Sequence, residues 1–144
     1  MRDAMIITPM AHVAIVPPMV GGFRRVFASV APFYTAREVN INASRAMLQN
    51  VVRNMPHRPE WVILMDSDVH VPPGALDALF EAWKEGSTPC IQTKEHRDGH
   101  VVTACALMKT SDYLKVDYMA EPYSCQCTKL PNPFYIENFK GKEI

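Results

Sequence analysis

The sequence predicts an α/β domain with a mostly parallel sheet, and three observations lead there. The run Trp61–Met65 (WVILM) is apolar without alternation, the pattern of a strand covered on both faces. Leu76, Leu79, Phe80 and Trp83 recur at i, i+3, i+4 and i+7, so the segment after it forms a helix with one buried face. Short β-rich runs and helical segments then alternate along the chain, as in β-α-β units.

Taken in order, residues 12–16 (HVAIV) read as a first buried strand, stopped by Pro17 and Pro18 and opened into a loop by Gly21 and Gly22. Residues 23–30 read as a helix that Pro32 ends. A longer helix is expected over 42–54, with Asn42 as its N-cap. Met47, Leu48, Val51 and Val52 make its apolar stripe, and Arg45, Gln49 and Arg53 lie together on the other side. Arg45 falls in the first turn, where the helix dipole disfavours a cation; an anionic partner would offset that cost, although surface arginines commonly tolerate it.

Pro72 and Pro73 open the next helix where proline costs least, and Gly86 suits its end. A short strand at 89–93 and a longer one at 101–108 follow, then a brief helix to Val116 capped by Thr110 or Ser111. From Asp117 onward, prolines at 122, 131 and 133 predict irregular structure. The 144 residues make one domain.

Apolar content of 48% and charged content of 21% exclude a disordered or fibrous chain. Fifteen basic and fifteen acidic residues cancel, which argues against a nucleic-acid partner held by bulk charge. No apolar run reaches membrane-spanning length. Pro9 and His12 interrupt the apolar N-terminus, making a poor signal peptide, so a cytoplasmic location is the default expectation. Cys90 and Cys105 sit in apolar runs as buried thiols. Cys125 and Cys127 are either two loop thiols, the commoner situation, or two zinc ligands with His96 and His100 as candidate partners.

The chemistry concentrates in Asp66-Ser67-Asp68, directly after the most buried strand. In an open α/β sheet, ligands bind beyond the carboxyl ends of strands. If the chain stays extended there, the two carboxylates point the same way, and their repulsion is relieved by a divalent cation. Mg²⁺ or Mn²⁺ takes carboxylate and phosphate oxygens together, which suggests a phosphate-bearing ligand. The alternative is a hydrophilic turn in which Asp68 caps backbone amides. His70, two residues on, is a candidate third ligand or an ordinary surface histidine, as are His96 and His100.

WVILMDSDVHVPPGALDALFEAW resembles the central strand, D-x-D motif and following helix of GT-A glycosyltransferases, particularly the family two type. NASRAMLQNVV is similar to the helix carrying an arginine upstream of that motif, and HVVTACALMKTSDYLKV to the strand and helix beside the acceptor site. The resemblance covers about residues 40–118. It implies a three-layer α/β/α domain, a nucleotide-sugar donor, a hydroxyl acceptor, and Mn²⁺ or Mg²⁺. By the same resemblance, Asp68 bridges the metal to the diphosphate, Asp66 contacts metal or ribose, and Arg45 lies near the diphosphate. Pro17 belongs to the loop at the nucleotide, and Glu121 matches the first residue of the family's Glu-Asp base pair, with Pro122 in place of the second. Two other readings share the local pattern. One is a non-catalytic binding or scaffold protein on the same fold. The other is a phosphatase of the haloacid-dehalogenase type, which lacks its expected residues after Asp68 and its later acidic pair.

Overall fold

The computed structural model of the chain describes residues 2–10, 17–29, 37–93 and 100–143. Strand β1 (Ala4–Met10) is followed by β2 (Met19–Val20), β3 (Phe23–Ser29), helix α1 (Arg37–Arg53), β4 (Trp61–Met65), β5 (Val69–His70) and α2 (Ala75–Ala82). Then come β6 (Thr88–Gln92), β7 (Cys105–Lys109), the short α3 (Thr110–Tyr113), a 3-10 turn (Gln126–Thr128), β8 (Pro133–Lys140) and β9 (Lys142–Glu143). Seven strands form one sheet in the order β2-β3-β1-β4-β7-β6-β8, and β5 pairs with β9 beside it. The core β3-β1-β4 is parallel, as is β6-β8; β7 runs antiparallel between β4 and β6.

Strand alternation explains the three layers. Met5, Ile7, Val62 and Leu64 face one side, where they meet Leu48 and Val52 of α1 with Tyr113 and Tyr118. Ile6, Ile63 and Met65 face the other, against Phe23 and against Leu76 and Leu79 of α2. Each such side chain contributes roughly 1.5–3 kcal/mol by leaving water. Both faces are covered, so β1 and β4 carry no polar face, and this is why WVILM shows no alternation.

The strand expected at 12–16 lies outside the described residues, and the first observed strand is β1, upstream of it. Several other expectations are corrected. Residues 23–29 form a strand, not a helix. Gly21 and Gly22 adopt φ of 57° and 84°, and this two-residue turn folds β2 back onto β3 in a hairpin. The turn sets the register, while β1 supplies the partner along the other edge of β3.

Helix α1 starts at Arg37, so Asn42 lies inside it and is no cap. The stripe is rotated from the expected one: Leu48 and Val52 are buried, but Met47 is 58% and Val51 46% exposed, while Gln49 is buried. Helix α2 begins after the prolines, with Gly74 as N-cap at φ 82°. It ends at Ala82, ahead of Gly86, which turns the chain into β6. Thr110 opens α3 without a capping hydrogen bond from a side chain. Finally, residues 133–140 are a strand. Pro133 is its first residue and β8 is an edge strand, the two circumstances in which a missing N–H costs no ladder bond.

Candidate functional site

The carboxyl ends of the parallel strands β1 and β4 open into a narrow cleft. Ile7 and Pro9 line it from β1, Leu64, Met65 and Asp66 from β4, Arg45 from α1, and Tyr113, Tyr118 and Gln126 from the C-terminal segment. Its free volume is about 10 Å³, room for about one water molecule. Asp66 and Arg45 thus line one cleft although 21 positions (66 minus 45) separate them in sequence.

Local structure explains how Asp66 gets there. β4 is held on both sides, by β1 and β7, and the Asp66 N–H donates to the Ala104 carbonyl (2.8 Å), which carries the pairing one residue past the strand. The chain then does not stay extended: Ser67 and Asp68 form a turn before β5. Asp66 is therefore half-buried in the cleft, whereas Asp68 and His70 are exposed. The ligand atoms of Asp66, Asp68 and His70 do not gather within 4.8 Å as a set; among the described residues the group that does is His100, Cys125 and Cys127. Asp66 and Asp68 flank the turn, one in the cleft and one in solvent. They do not make an all-protein cage.

Arg45 is positioned from behind. Its Nη1 donates to Asn42 Oδ1 (3.1 Å), and Asn42 Nδ2 donates to the carbonyls of Pro122 (2.7 Å) and Ser124 (3.3 Å). Glu121, one residue before Pro122, is exposed and does not line the cleft. Its carbonyl accepts from Ser124 Oγ (2.8 Å) and Lys129 Nζ (2.8 Å). Pro17 is exposed just ahead of β2 and is also absent from the cleft wall. His96 lies outside the described residues.

The rest of the wall is a buried polar network that sequence reasoning missed. Gln126 Nε2 donates to Tyr118 Oη (2.9 Å), and Thr103 Oγ1 donates to Gln126 Oε1 (3.1 Å). Burial pushes the Tyr118 phenol up to about 12; the nearby Arg45 charge opposes this, as does the Gln126 hydrogen bond, and Asp66 adds to it. Tyr113 Oη is buried at the cleft without a hydrogen-bond partner among the described residues. A readable signal did exist: Asn42, Arg45, Gln49 and Arg53 fall at i, i+3, i+7 and i+11, one polar stripe on α1. In the fold that stripe faces the C-terminal segment. Gln49 donates to the carbonyls of Tyr113 and Val116, and Arg53 to that of Leu114.

The carboxyl ends of the parallel strands thus carry a narrow cleft lined by a carboxylate and a guanidinium, at the place where open α/β sheets bind their ligands. Comparison with solved structures narrows the fold. The crystal structure of A197 from STIV matches with a TM-score of 0.57 at 11% identity, over 100% of this chain and 86% of that one. A glycosyltransferase involved in the glycosylation of the major capsid of PBCV-1 matches with a TM-score of 0.50 at 12% identity, over 92% of this chain and 81% of that one. The chain has a glycosyltransferase-like fold. No protein-family model and no curated protein sequence matches it. No helix among the described residues is long and apolar enough to cross a membrane.

Proposed function

We propose that the protein is a metal-dependent glycosyltransferase that moves a sugar from a nucleotide-sugar donor to an acceptor hydroxyl. The observation that supports this reading is that Asp66 and Arg45 line one cleft at the strand ends of a glycosyltransferase-like fold. In it, Asp68 and Asp66 would hold Mn²⁺ or Mg²⁺, and His70 would become a third ligand only by moving in, because the three ligand atoms do not gather in the fold. The ion, when bound, supplies positive charge against the donor diphosphate. Arg45 adds a fixed positive charge as the nucleoside diphosphate departs, and Asn42 keeps that guanidinium aimed. Pro17 belongs to the loop against which the nucleotide rests. Glu121 accepts the proton of the acceptor hydroxyl as its oxygen attacks the anomeric carbon.

Calorimetric titration of UDP and GDP with and without Mn²⁺ tests the donor half. The expected result is metal-dependent binding that Asp68→Ala weakens at least about tenfold, or 1.4 kcal/mol. Binding that ignores the metal, or that survives Asp68→Ala intact, counts against it. For the base, Glu121→Gln is expected to lower turnover by about 10²-fold with nucleotide affinity unchanged. Unaltered turnover removes Glu121 from the mechanism.

A second reading is a non-catalytic binding or scaffold protein. It is favoured by the narrowness of the cleft, about 10 Å³, and by the exposure of Glu121 away from it. A thermal-shift screen of nucleotide sugars with Mn²⁺ separates the two, since a scaffold gains no stability from any donor.

A further inference from the structure

We propose that His100, Cys125 and Cys127 bind a zinc ion that clips the C-terminal segment to the chain entering β7. The ligand atoms of these three residues all lie within 4.8 Å of one another. His100 Nδ1 is 3.2 Å from Cys127 Sγ. Two ligands on a tetrahedral zinc, at about 2.1 Å for nitrogen and 2.3 Å for sulfur, sit roughly 3.6 Å apart, so a small outward shift admits the ion. One imidazole with two thiolates is a soft donor set that selects zinc over Mg²⁺ or Mn²⁺. A single residue separates the cysteines, fewer than the two to four usual in zinc sites. The 3-10 turn nonetheless brings both sulfurs to the imidazole, because Cys125 is extended (φ −66°, ψ 146°) immediately before it.

The position gives the ion a purpose. Gln126, between the two cysteines, points the opposite way into the cleft wall, where it bonds Tyr118 and Thr103. His100 lies three residues before Thr103. A metal joining His100 to Cys125 and Cys127 closes a loop of about 25 residues and fixes both sides of the Gln126–Thr103 bond. Since His100 is exposed, water completes the tetrahedron.

The proposal is independent of the transferase reading, and its test keeps the two apart. Full-length protein purified without chelator and dialysed against zinc is expected to hold about one zinc ion per chain by elemental analysis. That zinc is lost in Cys125→Ser/Cys127→Ser and in His100→Ala but kept in Asp66→Asn/Asp68→Asn. Stripping it should lower the melting temperature by about 5–10 °C relative to protein in zinc at a hundredfold excess over Kd. Should the variants misfold, cobalt added to stripped wild-type protein must give a thiolate-to-metal charge-transfer band. Zinc at background in the loaded protein, zinc retained by the double cysteine variant, or no such band overturns the site.

Discussion

Raising the pH from about 8.5 to 10.5 is expected to remove about 5 kcal/mol of stability through two thiols, enough to unfold a domain of ordinary stability. Burial pushes the Cys90 thiol up to about 12, with a small opposing contribution from a backbone hydrogen bond. Burial raises Cys105 further, and neighbouring Cys90 and Asp66 add to that while Arg25 opposes it. In the unfolded chain both titrate near 8.5. The sign follows from proton counting. Above 8.5 the unfolded chain releases two protons that the folded chain keeps, so stability is full below that pH and falls as pH rises towards the folded values. Each thiol costs up to about 1.4 kcal/mol per pH unit, or about 2.3 kcal/mol over the two units, because the unfolded thiol is only half ionised at the start. Tyr113 and Tyr118, both raised chiefly by burial, steepen the loss above pH 10. Melting curves against pH, compared with those of Cys90→Ala/Cys105→Ala, measure the effect. The double variant loses core packing at every pH but should show a shallower alkaline slope. Equal slopes would mean that these thiols ionise in the folded protein.

That expectation depends on a core whose outline was legible and whose details were not. β4, the Asp66 turn and α2 were readable because each is specified locally: five apolar residues, a turn with charge, and a stripe at helical spacing. β1 was not, because Pro9 reads as an interruption. The ladder between β1 and β4 covers only Ala4 to Ile7, so Pro9 withdraws no hydrogen bond on that side, while on the other side it stays in register with Ala28 of β3. β8 was hidden in the same way by Pro131 and Pro133, which lie before the strand and at its first residue.

The cleft was half legible. Asp66 and Arg45 stand out as charges at a strand end and in a helix. Asn42, Gln49 and Gln126 do not, since a buried amide is recognisable only by its partner. For Asn42 and Gln49 those partners are carbonyls 64 to 82 residues away in sequence, and for Gln126 they are the hydroxyls of Tyr118 and Thr103. The rotation of α1 follows from the same cause. Non-local amide bonds outweigh the water-contact cost of leaving Met47 and Val51 exposed, and the polar stripe turns inward.

Gln49 is where that competition is measured. Its Nε2 donates to the carbonyls of Tyr113 (2.9 Å) and Val116 (2.6 Å), in a site where the side chain is 95% buried (5% exposed). The Tyr113 carbonyl has a second donor in the Val116 N–H (3.2 Å), so removing the amide orphans chiefly the Val116 carbonyl. Gln49→Leu is therefore expected to cost about 2–3 kcal/mol, one unsatisfied buried acceptor plus one lost bond. Gln49→Glu is the sharper probe. At neutral pH it sets a carboxylate against two carbonyl oxygens, with no proton to share, and should cost more than the leucine. Protonation restores one donor. The glutamate variant should thus regain stability, relative to wild type, as pH falls from 7 towards the unfolded glutamate value of about 4.3, while the leucine variant does not. Denaturant unfolding of the three proteins at pH 7 and pH 4.5 decides it. If the leucine and glutamate variants fall together at both pH values, the amide is not what turns this face of α1 inward, and the loop that carries Tyr113, Tyr118 and Gln126 to the cleft is held by apolar packing instead.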